Sequence, residues 1–377
     1  MLRRVMMIAG EASGDLHGGG VVRELKRRVP SVEIYGVGGD NMQREGMELS
    51  QHIAGLSFMG IAEVVRHLAK ISRLEGALEV LLRNRRPDVV VLIDYPGFNL
   101  RFARAVKRHG IPVLYYISPQ VWAWNAGRVR KMKLLIDTMK VVFPFEVEIY
   151  KREGIDVEFV GHPIAEQIGS TISREEFFAA AGLSTEQRVL AIFPGSRVQE
   201  VERILPIAVE AAGRLHEAHG VQVAVSVAPN LDRSVVARQV PEERGFVLVE
   251  NSAYDLMKHA DLAVVASGTA TLETAWFGTP MIVVYRASPV TFWIGKMLVD
   301  VPHIGLVNIV AGKQIVPELV QHHLTAKKVV HAASRILLNA ECERDMRRDL
   351  GVIRERLGGP GASARVAEGV IDLGRAA

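Results

Sequence analysis

The chain has 377 residues, 49% of them hydrophobic and 23% charged, with a formal net charge of +4 at pH 7. That length predicts two domains of roughly 150 to 200 residues each, and the unbiased composition excludes disordered and fibrous classes. No run reaches the roughly 18 apolar residues of a membrane span, and a single cysteine, Cys342, can form neither an internal disulfide nor a thiolate metal site.

The apolar run Val5–Ala9 opens the chain as a strand candidate. Glu11 ends it too early for the apolar core of a signal peptide, so a cytoplasmic protein is expected. Gly10-Glu-Ala-Ser-Gly-Asp15 then reads as a tight turn leading into a helix, the place where α/β proteins bind ligands. Its two carboxylates, Glu11 and Asp15, would repel a phosphate. Further strands are expected at Val32–Val37, Val89–Ile93, Val113–Ile117, Val141–Phe143 and Glu158–Val160, alternating with helical patterns, which predicts a parallel sheet covered on both faces.

The Val89–Ile93 strand runs into Asp94. A carboxylate at the carboxyl edge of a buried strand is costly unless it faces a cleft or is paired, which makes Asp94 the candidate general base; capping of the next helix is the plain alternative. Gln120, in Tyr115-Tyr-Ile-Ser-Pro-Gln-Val-Trp-Ala-Trp124, is a candidate for holding a polar substrate group. His17 and His162 adjoin turns but are left outside the catalytic set.

After Gly161-His-Pro163 a polar, less periodic stretch through Gly182 marks the interdomain linker, after which strands recur at Val189–Phe193, Val221–Val227, Phe246–Val249, Leu262–Ala266 and Met281–Tyr285. Two motifs here suit a nucleoside diphosphate. Pro194-Gly-Ser-Arg197 opens the helix Val201–Leu215 with backbone N–H groups and a planar cation. Ser267, Gly268 and Thr269 precede a second helix, where the dipole and unpaired donors favour phosphate, and Glu273 one turn later is placed to accept from ribose hydroxyls. Capping by Ser267 or Thr269 is the structural alternative for the second motif, and a surface arginine in a turn for the first. Neither a P-loop nor a dinucleotide fingerprint is present, and no D-x-D pair offers metal ligands, so neither cofactor nor metal is expected.

Residues 1–165 carry 24 Lys+Arg against 18 Asp+Glu, a net +6, whereas residues 166–377 carry −2. Within the first half, Ile61, Val64, Val65, Leu68 and Ile71 recur at helical spacing among Arg66, Lys70 and Arg73. The ordinary reading is a helix packed on the core; the sharper one is a basic amphipathic face touching lipid.

Together these residues resemble the lipid-A-disaccharide synthases, a GT-B glycosyltransferase family of Gram-negative bacteria. The likeness rests on Gly10–Asp15, Met59–Ile61, Ile93-Asp94 with Phe98-Asn99, Ser118-Pro119 with Val121–Trp124, Pro194–Arg197, Ser267–Ala270 with Leu272-Glu273, and Asn308 with Ala311-Gly312. Gly97 departs from it, where many relatives are expected to carry a second aspartate. The resemblance implies two doubly wound Rossmann-like domains with an interdomain cleft: an acceptor-binding, membrane-facing domain over 1–165, a UDP-sugar domain over 166–346, and a helical segment over 347–377 crossing back to the first. It implies transfer of 2,3-diacylglucosamine from UDP to the 6-hydroxyl of 2,3-diacylglucosamine 1-phosphate, with inversion. Glu11, Ser13 and Asp15 would line the sugar or acceptor side, Arg197 and Ser267–Thr269 the diphosphate, and Asn308 the nucleotide. The acylated substrates imply peripheral contact with the cytoplasmic face of the inner membrane, and the family suggests a homodimer. A UDP-sugar 2-epimerase of the same fold and a non-catalytic nucleotide-sugar-binding protein are the rival readings. A nucleic-acid binder is disfavoured because the basic residues are scattered.

Overall fold

The computed structural model of the chain describes residues 2–55, 68–119, 121, 128–169, 171–241, 245–288 and 302–376. They form two units, Met1–Glu166 together with Leu357–Ala377, and Gln167–Arg356.

In the first unit seven parallel strands, β1 (Arg4–Ala9), β2 (Glu33–Gly38), β3 (Glu48–His52), β4 (Val89–Ile93), β5 (Val113–Tyr116), β6 (Thr138–Val141) and β7 (Asp156–Phe159), lie in the order β3-β2-β1-β4-β5-β6-β7. The second unit holds six, β8 (Val189–Phe193), β9 (Gln222–Val227), β10 (Val247–Glu250), β11 (Leu262–Ala266), β12 (Met281–Tyr285) and β13 (Glu318–Val320), in the order β10-β9-β8-β11-β12-β13. Strand order reverses once in each sheet, between β1 and β4 and between β8 and β11. At such a reversal the connecting helices diverge to opposite faces and leave a crevice beyond the strand ends, where ligands of open parallel sheets bind.

The central strands are continuous apolar runs, and every residue of β4, β8 and β11 is buried. Such runs demand cover on both faces, at roughly 1.5–3 kcal/mol for each large aliphatic side chain buried. The Ala12–Arg28 helix packs against the Ala362–Ala376 helix in the first unit, and the Val198–His219 helix against the Ala326–Leu338 helix in the second. Close strand approach at Gly36 requires glycine: its φ is +141°, and a Cβ there would lie 2.1 Å from the Met7 carbonyl oxygen.

Two strands escaped the sequence reading. β3 and β13 are sheet edges, and neither contains a buried residue, so they lack the apolar run that marks their neighbours. β6 lies earlier than the expected Val141–Phe143 because Lys140, which interrupts the hydrophobic pattern, is buried in the strand and paired with Glu158 of β7. The chain returns to the first unit at Leu357, later than the expected 347, because the helix Ala340–Leu357 continues to that point. There Glu166 caps the last helix, accepting from Gly361 N (2.8 Å), Ser363 N (3.0 Å) and Ser363 Oγ (2.5 Å).

Candidate active site

At the β1/β4 reversal the first turn and Asp94 stand side by side, since Ala9 pairs with Ile93. Asp94 and Tyr95 both adopt left-handed backbone conformations, with φ of 46° and 48°. For non-glycine residues this costs of order 1–3 kcal/mol each, so the neighbours must hold it. Asn99 Nδ2 donates to the carbonyls of Ile93 (3.1 Å) and Asp94 (2.7 Å), the Tyr115 hydroxyl donates to Asp94 O (2.5 Å), and Asp94 N–H donates to Tyr116 O (2.9 Å). The Tyr95 ring lies over Gly10, where a Cβ would come within 2.2 Å of it. Glycine there lets the first turn and the Asp94 turn share one corner.

The Asp94 side chain does not cap the helix Pro96–Arg108; Tyr95 is the cap residue and contributes no side-chain bond. Burial, reinforced by the negative charge of Glu11 and opposed by the Tyr95 N–H, raises the Asp94 carboxyl from 3.8 to about 6. Such a group is a stronger base than an ordinary aspartate yet remains ionised at neutral pH. Glu11 and Ser13 are exposed beside it, at the start of the Ala12–Arg28 helix.

Asp15 has a different job from the one expected. It is buried, and its carboxylate accepts from Gly39 N (2.7 Å), Met42 N (3.0 Å), Asn41 N (3.0 Å) and Asn41 Nδ2 (2.8 Å). Those four donors consume its acceptor capacity and tie the first helix to the loop after β2. His17 and His162 are pushed down by burial, to about 4 and about 3, and stay neutral at physiological pH. Gln120, Ile61, Val64 and Val65 lie outside the described residues; the backbone of Leu68 and Ile71 belongs to the helix Leu68–Arg85.

The β8/β11 reversal opens a cavity of about 380 Å³, within the range of small-ligand sites. Pro194–Arg197 and Ser267–Thr269 form two of its walls, Asn230 and Met257 contribute to others, and Glu273 lines it too. Neither alternative to ligand binding by capping holds: Thr269 is the cap residue of the helix Ala270–Trp276 without a side-chain bond, and Ser267 Oγ donates instead to Ile304 O (2.9 Å). Ser267 N–H is spent on Val284 O (2.9 Å), whereas the N–H groups of Gly268 and Thr269 meet no acceptor among the described residues. Glu273 is raised from its ordinary value by burial, against a hydrogen bond from the Tyr254 hydroxyl (3.3 Å).

Sequence reasoning missed how the Pro194–Arg197 turn is fastened. Glu200, in the first turn of the Val198–His219 helix, accepts from Ser196 N (3.2 Å) and pairs with Arg197 Nη1 (3.1 Å), while Asn230 Nδ2 donates to Ser196 O (2.8 Å). The spacing Arg197–Glu200 was a readable sign of the first contact; nothing local pointed to Asn230. Asn308 is corrected in the opposite sense. It is fully buried, donating to Val316 O (2.9 Å) and Glu318 Oε1 (2.7 Å) and accepting from Ile315 N (2.8 Å) and Val316 N (3.0 Å). Its amide is saturated by the turn it closes, so it supports the loop before β13 rather than offering a group to a ligand.

Residues 5–357 match the family model described as lipid-A-disaccharide synthetase. The chain belongs to that family. It is 41% identical over 372 residues to the lipid-A-disaccharide synthase of Geobacter sulfurreducens, covering 98% of this chain and 97% of the relative, and 43% identical over 366 residues to that of Syntrophus aciditrophicus, covering 96% of each. Among solved structures it is similar to the UDP-GlcNAc 2-epimerase from Neisseria meningitidis bound to UDP-GlcNAc (TM-score 0.66, 14% identity, 98% of this chain and 100% of the other). It is also similar to the calicheamicin glycosyltransferase CalG4 (TM-score 0.63, 16% identity, 99% and 98%). Those likenesses establish the GT-B fold of two parallel-sheet α/β domains. Membership of the lipid-A-disaccharide synthetase family makes the chain a glycosyltransferase of lipid A biosynthesis.

Proposed function

We propose that the chain transfers 2,3-diacylglucosamine from its UDP derivative to the 6-hydroxyl of 2,3-diacylglucosamine 1-phosphate, releasing UDP and inverting the anomeric centre, with Asp94 as general base. The observation that carries the assignment of the base is the strained, half-buried Asp94 at the β1/β4 reversal, with its carboxyl raised to about 6. It takes the proton from the attacking hydroxyl as the bond to the anomeric carbon forms and the UDP oxygen departs. Arg197 and the N–H groups of Gly268 and Thr269 stabilise the charge that grows on the leaving diphosphate, and Glu273 accepts from the ribose. Glu11 and Ser13 contact the sugar or acceptor. With lipidic substrates and, among the described residues, no helix long and apolar enough to cross a membrane, the chain acts at a membrane surface through peripheral contact. Ile61, Val64, Val65, Leu68 and Ile71 supply that contact in this reading.

The test is UDP release by the purified protein from UDP-2,3-diacylglucosamine, with and without the monosaccharide 1-phosphate, for wild type and Asp94→Ala. Acceptor-dependent release that collapses in a folded Asp94→Ala protein is expected. Conversion of the UDP-sugar without acceptor and without net UDP release would favour the epimerase chemistry of the structural neighbour over transfer.

A further inference from the structure

Glu273 lines the nucleotide cavity from the helix Ala270–Trp276, and its carboxylate is largely withdrawn from solvent. A buried carboxylate needs donors, because burial without them favours the neutral acid. Among the described residues one donor reaches it, the Tyr254 hydroxyl, at 3.3 Å from Oε1. Tyr254 stands in the neighbouring helix Ala253–His259, whose first residue, Ala253, also lines the cavity. Its ring lies against Phe277, at the carboxyl end of the Glu273 helix, with ring centres 6.2 Å apart. Ring and hydroxyl thus both rest on the element that carries Glu273. An ionised carboxylate accepts about four hydrogen bonds; Tyr254 occupies one site on Oε1 and leaves Oε2 without an intramolecular donor among the described residues.

We propose that Tyr254 is a positioning residue for nucleotide recognition: its hydroxyl fixes one oxygen of Glu273 so that the other is presented to the ribose hydroxyls of the UDP group. This rests on the ribose role of Glu273 proposed above. Burial drives Glu273 toward its protonated form and the Tyr254 hydrogen bond opposes that drive. Removal of the hydroxyl therefore loosens the carboxylate and raises the pH at which it gains a proton and becomes a weaker, neutral acceptor. The Tyr254→Phe change deletes one oxygen and keeps the ring on Phe277.

The experiment is calorimetric titration of the full chain with UDP and with 2′-deoxy-UDP between pH 5 and 8, for wild type, Tyr254→Phe and Glu273→Ala. Wild type should prefer UDP by about 10- to 100-fold, the span of one charged hydrogen bond. Glu273→Ala should abolish the preference. Tyr254→Phe should reduce it by about 3- to 10-fold and move its loss on acidification to higher pH, while 2′-deoxy-UDP, which keeps one of the two ribose hydroxyls, loses less affinity than UDP does. A full preference in Glu273→Ala overturns the ribose reading and the proposal with it. A preference abolished in Glu273→Ala but unaltered in Tyr254→Phe, with an unmoved pH midpoint, overturns the positioning role alone.

Discussion

Replacing Asp94 by asparagine should cut activity by orders of magnitude and stabilise the protein, both from the same cause. The substitution keeps the size of the side chain, and asparagine tolerates the left-handed backbone that position 94 adopts, so no new strain is introduced. The carboxyl rises from 3.8 to about 6 on folding. At 1.36 kcal/mol per pH unit, holding it ionised in the folded state costs about 3 kcal/mol as an upper figure. The folded value lies above the unfolded one, so the native state binds the proton more tightly. The penalty is therefore absent below about pH 3.8, grows as pH rises, and is complete above about pH 6. Asp94→Asn removes it. Urea unfolding at pH 7.5 should show a gain of up to about 3 kcal/mol for the variant, equivalent to about 2–4 °C in Tm per kcal/mol for a unit of this size. At pH 4 the two proteins should be nearly equal. Acceptor-dependent UDP release should fall by about 10²- to 10⁴-fold, the usual contribution of a general base. Equal stabilities at pH 7.5 would refute the buried, perturbed carboxylate, and undiminished turnover would refute its catalytic role.

Glu11→Gln removes one of the two causes that raise Asp94, so the acid limb of the pH profile of kcat/KM, expected near pH 6 in wild type, should move to lower pH; an unmoved limb would show that the two carboxylates do not interact. Arg197→Ala should weaken UDP binding by about 10- to 100-fold by calorimetry, with Arg197→Lys restoring only part of it because lysine lacks the planar fork. Asn308→Ala leaves buried backbone donors at Ile315 and Val316 unpaired and should cost about 2–4 kcal/mol in chemical denaturation, while the folded variant binds UDP as wild type does. Loss of UDP affinity in a stable Asn308→Ala protein would return that residue to the nucleotide site.

The sequence alone determined the central strands, because a parallel strand covered on both faces must be a continuous apolar run, and β4, β8, β11 and β12 coincide with such runs residue for residue. It also marked the turns that carry chemistry, since Gly10–Asp15, Asp94, Pro194–Arg197 and Ser267–Thr269 each interrupt a run with small or charged residues. Edge strands β3 and β13 were illegible for the converse reason: half-exposed, they carry no hydrophobic signature. What only the tertiary structure decided is which polar groups remain free for a ligand. Asp15 and Asn308 have the same side-chain chemistry as functional residues, but donors from Gly39–Met42 and groups from Ile315–Glu318 saturate them. Asp94 and Glu273 keep unspent acceptors, and the latter owes its setting to Tyr254, which no local spacing connects to it. A hydrogen bond between distant segments is fixed by how strands are ordered in the sheet. The strand order, reversing at β1/β4 and β8/β11, brought the four turns together in two pairs.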